Sequence, residues 1–218
     1  MLLRPAFRTL AVRPSTSSLL TKPATQQTRS FLPTPTAPPQ KFTARKTLPF
    51  PRPVLYSIIR DIDAYSSFLP FCSASIVTSR STTPPTHPIS STPTSEQTKG
   101  DPTQADLKIG FGGFDETFSS KVSCSYDDKV GVVRADSGEA VSGREGEVFE
   151  RLVTRWEVKD LEGSQGKDSE VKLDIEFTFK NPFYAMVTKS VTPKVAGAMM
   201  EAFEKRAGEL VGRRGSGF

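Results

Sequence analysis

Aspartate and glutamate are missing from the first sixty residues, and Asp61 is the first acidic group of the chain. Ten Lys and Arg residues stand in the same stretch, so the formal charge of +5 belongs to the leader. Beyond it, 19 basic residues face 24 acidic ones, a net −5. A body of that sign lacks the counterion-release drive of a nucleic-acid binder, and no nucleic-acid partner is expected. No run of 18 apolar residues occurs, which leaves nothing to span a bilayer as a helix. Cysteine is scarce: Cys72 and Cys124 show no CxxC spacing, so neither a metal site nor a disulfide framework is indicated. The single histidine, His87, falls in a Ser/Thr/Pro tract that would fix no catalytic geometry. Nucleophile–base pairs and phosphate loops are missing as well, and no catalytic residue is assigned.

The leader itself mixes Leu2, Leu3, Phe7 and Leu10 with Arg4 and Arg8, and is rich in Ser and Thr from Thr9 to Ser30. Arg-rich, Ser-rich and acid-free is the texture of an organellar transit peptide, and we read it as mitochondrial. Pro5, Arg8, Arg13 and Pro14 interrupt the apolar stretch that a secretory signal would need. A solvated basic tail would share this composition. Residues 1–40 are thus expected to be transit peptide and linker, 41–211 a domain, and 212–218 a frayed tail. A domain of that size buries roughly 70% of its extended surface.

The most regular pattern lies near the C-terminus. Val171, Leu173, Ile175, Phe177 and Phe179 alternate with Lys172, Asp174, Glu176, Thr178 and Lys180, a strand with one apolar face. Further strands are expected at 41–48, 71–78, 105–111, 114–125, 129–134 and 148–158, with a polar loop over 138–146. Pro53 suits the first turn of a helix carrying Leu55, Ile58, Ile59, Ile62, Tyr65 and Leu69, continuous or broken near Asp63. Residues 81–102 read as a disordered insertion, since 14 of the 18 residues from Ser81 to Thr98 are Ser, Thr or Pro. Phe183, Met186 and Val187 begin a final helical pattern, in which Val195, Met199, Phe203 and Ala207 recur every four residues. Pro193 either kinks this helix or opens a second one capped by Thr192. The order predicts an α+β fold, a curved antiparallel sheet wrapped around a long C-terminal helix.

Several motifs, in order, resemble the coenzyme Q-binding START-like family of the polyketide cyclase/lipid-transport (helix-grip) superfamily. Tyr65-Ser66-Ser67-Phe68-Leu69-Pro70-Phe71-Cys72 is similar to the family's aromatic-x-x-Phe-Leu/Val-Pro-Trp-Cys, with Phe71 in place of tryptophan. Ala105 to Phe111 running into Glu116 to Val122, Trp156, and the ending Met200 to Ala207 extend the likeness over roughly residues 41–210. The resemblance implies a mitochondrial protein on the matrix side of the inner membrane, without enzyme activity. It would hold ubiquinone and its prenylated precursors as bound ligands, with no separate cofactor. Delivery to respiratory complexes or to the ubiquinone synthesis complex is implied too. Two rivals share the superfamily: a cavity enzyme of quinone or polyketide metabolism, and a bacterial-type role in ribosome association, which the acidic body disfavours.

Inward strand faces then give a candidate lining of Leu107, Ile109, Phe111 and Phe118, with Leu152 and Trp156 from a later strand. Leu173, Ile175 and Phe177 add the next strand, and Val195, Met199 and Phe203 the helix. For any one of them ordinary core packing is the better reading, and the set rather than any member suggests a cavity. Phe111 and Phe114 flank Gly112-Gly113 and suit a gate or a membrane-touching hairpin tip, or simply a turn. Asp115 and Glu116 point to opposite faces, and an unpaired carboxylate such as Glu116 is expected at a rim.

Overall fold

A computed structural model describes residues 38–83, 100–111, 114–142, 148–181 and 192–215. Seven strands form one antiparallel sheet in the order β1-β7-β6-β5-β4-β3-β2. They are β1 (Gln40–Leu48), β2 (Cys72–Arg80), β3 (Pro102–Phe111), β4 (Phe114–Tyr126), β5 (Val130–Ser137), β6 (Phe149–Asp160) and β7 (Ser169–Phe179). Helix α1 (Arg52–Arg60) and a 3-10 helix (Ile62–Ser67) connect the two edge strands. A short α2 (Glu139–Ser142) follows β5, and α3 (Thr192–Gly215) ends the described chain.

Local sequence explains most of these boundaries. Pro51 and Pro53 open α1, where a missing N–H costs nothing, and the break before the 3-10 helix falls at Asp61. Leu55, Ile58, Ile59 and Ile62 are all buried, as their spacing predicts. Asp127 turns β4 into β5 by accepting the N–H groups of Lys129 (2.7 Å) and Val130 (2.8 Å). The β7 alternation is complete: Ser169, Val171, Leu173, Ile175, Phe177 and Phe179 are buried, while the intervening residues are half-buried. On that outer face Asp174 accepts from the Thr43 hydroxyl and pairs with Lys172 at 2.7 Å, tying β1 to β7.

Some expectations are corrected. The segment read as a polar loop contains α2, and β5 runs to Ser137 rather than stopping at Arg134. Beyond Ser137, Gly138 takes a φ of +110° with the Glu150 carbonyl only 2.6 Å from where a Cβ would sit. Only glycine fits there, and the ladder with β4 ends at Ser120–Ser137. Helix α3 continues through Gly212 to Gly215, where fraying was expected, while Pro193 lies in the first turn of a helix that begins at Thr192, one of the two arrangements expected for it. The apolar group at Phe183, Met186 and Val187 and most of the Ser/Thr/Pro tract lie outside the described residues, as do Gly112 and Gly113. The β3–β4 register sets Phe111 opposite Phe114, whose side chains are likewise outside the description.

Helix α3 lies across the concave face of the sheet. Ala196, Met200, Phe203 and Ala207 are buried in the core with Leu48, Ile59, Val158, Val171 and Leu173. Apolar packing of this stripe is what holds the helix down. Lys46 on β1 pairs with Glu204 on α3 at its edge.

Candidate functional site

Between the concave sheet face and the first turns of α3 lies a cavity of about 300 Å³. Strand alternation aims Ala105, Leu107 and Ile109 into it from β3, and Glu116, Phe118, Ser120 and Val122 from β4. The next strands supply Val133, Ala135 and Ser137, then Leu152, Thr154 and Trp156, then Ile175, Phe177 and Phe179. Val195 and Met199 close it from α3, and Ile62 and Tyr65 from the 3-10 helix. The interior is therefore not filled by the protein's own side chains. Its volume sits at the lower end of the range for small-molecule pockets.

Nine of the thirteen residues proposed from sequence come together in this wall: Leu107, Ile109, Phe118, Leu152, Trp156, Ile175, Phe177, Val195 and Met199. Two do not. Leu173 is fully buried opposite Trp156 in the ladder, and Phe203 is buried behind the indole, with ring centroids 4.4 Å apart. Both belong to the end where helix and sheet pack without a gap. Phe111 and Phe114 fall outside the described side chains. Phe149 was not expected; its ring stacks on Phe179 at 4.6 Å and lies 5.4 Å from Phe118. Val133, Ala135 and Ser137 were also missed, although their own alternation on β5 carries the signal.

The family-like motif splits at the cavity wall. Leu69, Pro70, Phe71 and Cys72 line it, while Phe68 packs edge-on to Tyr65 (5.8 Å) and Phe203 (5.2 Å) outside the wall. The Arg206 guanidinium caps the Phe68 ring at 5.8 Å. Phe71 has a φ of +66° and is 40% exposed, an aromatic held in the left-handed region at the rim. That conformation costs an L-residue ~1–2 kcal/mol. The Gly110 N–H donates to the Phe71 carbonyl at 2.8 Å, which helps to fix it.

Polar groups are few. The Tyr65 hydroxyl donates to the Ile59 carbonyl, and its burial raises its pKa well above the ordinary phenol value. Burial also raises the Cys72 thiol, and pushes Cys124 up to about 12 with Asp101 adding to the effect. Thiols held protonated in this way are poor nucleophiles. Glu116 is half-buried and lines the cavity, in line with Phe118 and Ser120 on its strand. Among the described residues no cluster of three or more His, Cys, Asp or Glu could hold a metal ion.

Comparison with known proteins fits this geometry. The family described as polyketide cyclase/dehydrase and lipid transport matches residues 48–204. The mitochondrial coenzyme Q-binding protein coq10 of Schizosaccharomyces pombe is 32% identical, over 76% of this chain and 85% of its own length. The mitochondrial coenzyme Q-binding protein COQ10 of Eremothecium gossypii is 28% identical, over 78% and 74% respectively. Among solved structures, a START superfamily protein from Mycobacterium smegmatis superposes with a TM-score of 0.59 at 15% identity. That match covers 78% of this chain and 98% of the other, and it establishes the START-like fold.

Proposed function

This chain belongs to the polyketide cyclase/dehydrase and lipid transport family, in the branch that holds coenzyme Q-binding proteins, and on that premise we propose that it binds ubiquinone in its cavity. One observation carries the reading: a cavity of about 300 Å³ with almost wholly apolar walls, with the partly exposed Phe71 among its lining residues. Each methylene-sized group moved out of water gains about 0.8 kcal/mol, so such walls favour an isoprenoid over a polar metabolite. Methionine and aromatic side chains fit a flexible chain without demanding one shape.

The cavity is too small for a long polyprenyl tail. It suits the quinone head with the first part of the tail, and the remainder leaves through the mouth. A protein so loaded works as a lipid chaperone at a membrane surface, exchanging quinone without exposing the head to water. Prenylated precursors share the same head-and-tail chemistry and are further ligands. The acid-free leader and the names of the relatives support a mitochondrial address. We place the protein peripherally on the matrix side of the inner membrane, serving respiratory electron transfer and ubiquinone synthesis through the complexes that carry them out. Among the described residues, no helix is long and apolar enough to cross a membrane.

A catalytic reading rests on Glu116, the one carboxylate facing the cavity among the described residues. It would require turnover of a prenylated precursor that is lost in Glu116→Gln. We favour binding over catalysis, because a lone carboxylate without a partner base supplies little acid–base chemistry. The deciding experiment is organic extraction of the full chain purified from quinone-containing cells, followed by mass spectrometry. About one quinone per chain is the expected result, and a chain free of prenylated quinone would refute the proposal.

A further inference from the structure

In a wall that is otherwise almost entirely apolar, two serines face each other across neighbouring strands. Ser120 on β4 and Ser137 on β5 are ladder partners, 7% and 3% exposed, with their hydroxyl oxygens 2.6 Å apart. Thr154, opposite Ala135 on β6, adds a third hydroxyl to the same patch. We propose that the Ser120–Ser137 pair is the seat of the ligand's polar end, so that ubiquinone is held with its head inward and its tail toward the mouth. The inference rests on the reading that the cavity takes a prenylated quinone.

Hydrogen-bond accounting supports it. Two hydroxyls bring two protons and four lone pairs, and the bond between them uses one proton. Among the described residues neither hydroxyl makes another hydrogen bond. A buried donor left without an acceptor is costly, and a quinone carbonyl is an acceptor of the right kind. The other polar groups fit the role less well. Tyr65 has committed its proton to the Ile59 carbonyl. Glu116 lies four residues from the serine pair along β4, at the other end of the cavity wall.

Position supplies the direction. Ile109 is the ladder partner of both Glu116 and Cys72, which places this end of β4 near the partly exposed Phe71, the side we take as the entrance. Ser120 lies four residues farther along β4, about 13 Å at the rise of a strand. A head resting there sits well inside, and the tail must run back past Ile109 and Phe118. The pair has a second property. Because hydroxyls rotate, one serine can donate to a quinone carbonyl or accept from a quinol O–H. Such a seat holds both redox forms, which a lysine or a carboxylate would not do.

The test uses the full chain, a short-tailed ubiquinone, and a farnesyl-type hydrocarbon with no head. In Ser120→Ala/Ser137→Ala both partners become apolar together, so the fold should survive and hydrocarbon affinity should be unchanged. Affinity for the quinone should fall roughly tenfold, the worth of one or two buried hydrogen bonds. Wild type should bind the oxidised and reduced forms within about tenfold of each other. Equal loss for hydrocarbon and quinone, or no loss for either, would overturn the seat while leaving quinone binding intact. Failure of wild type to bind either ligand would instead overturn the reading beneath it. If the double variant does not fold, Ser137→Ala alone carries the same comparison.

Discussion

The Trp156 indole and the Phe203 ring meet with their centroids 4.4 Å apart, and this contact divides the interior into an open half and a packed half. On one side Trp156 lines the cavity; on the other Phe203 is wedged edge-on against Tyr65 at 5.6 Å and Phe68 at 5.2 Å. Phe203→Ala should therefore remove the floor that seats the indole. We expect a loss of about 3–5 kcal/mol in urea denaturation, the usual cost of emptying a buried aromatic site. Trp156 is the only tryptophan, so its fluorescence follows both unfolding and quinone quenching. A loss below about 1 kcal/mol would show that Phe203 is not the support described here.

Much of this arrangement is legible in sequence, and the parts that are not share a physical reason. The β7 face can be read residue by residue because a period of two leaves no ambiguity about which side is buried. The α3 stripe is legible for the same kind of reason. What alternation cannot give is depth. Leu173 and Ile175 point the same way from β7, yet one is sealed into the core and the other meets the cavity. That difference depends on which part of α3 lies above each strand, a long-range fact with no local signal. Phe149 was missed because its role depends on register with Phe179, and α2 because four residues are too few to show a period. The left-handed Phe71 is invisible in sequence because nothing in Leu69-Pro70-Phe71-Cys72 demands it locally.

Phe71 leads to a second prediction. At a φ of +66°, any residue with a Cβ is strained, and glycine is not. Phe71→Ala and Phe71→Gly both delete the ring, so their difference isolates the backbone. The glycine variant should be more stable than the alanine variant by about 1 kcal/mol, the reverse of the usual order. Both should release bound quinone faster than wild type, since the rim aromatic is gone. Urea midpoints and stopped-flow release measure the two effects. Alanine proving the more stable would remove the strain argument.

The outer face predicts a pH dependence. Asp136 accepts two hydrogen bonds from Arg134, at 2.6 and 2.7 Å, and lies 3.5 Å from Arg151. These bonds, Arg134 first, hold its carboxyl below the ordinary aspartate value. A depressed folded pKa means that the stabilisation is complete above the unfolded value near ~4 and is lost as pH falls through the lower folded value. Asp136→Asn should therefore be less stable than wild type at pH 6, with the gap closing toward pH ~3. Partial exposure keeps the effect modest. Thermal melts across that range decide the matter, and a gap independent of pH would mean that the aspartate acts through something other than its charge.

The last prediction concerns the Ser/Thr/Pro tract and the buried ion pair beside it. Arg60, at the end of α1, is 4% exposed and pairs with Asp101, the residue at which the chain rejoins the sheet. Asp101 also closes the base of the insertion: the Ser81 N–H donates to its carbonyl at 2.8 Å, and its own N–H donates to the Ser81 hydroxyl at 3.0 Å. The strands on either side are thus joined by bonds at the first residue of the tract and at Asp101, without residues 84–99. Shortening residues 84–99 to a brief Gly/Ser turn should shift the melting midpoint by no more than about 3 °C, because loop-closure entropy changes slowly with length. Asp101→Asn should cost about 2 kcal/mol, because a buried guanidinium loses a charged acceptor. Deleting sixteen residues is then gentler than exchanging one carboxylate for an amide. If the melts ranked the two variants the other way, the insertion would have to contribute packing of its own, and the domain could not be described as a closed sheet-and-helix unit with an added loop.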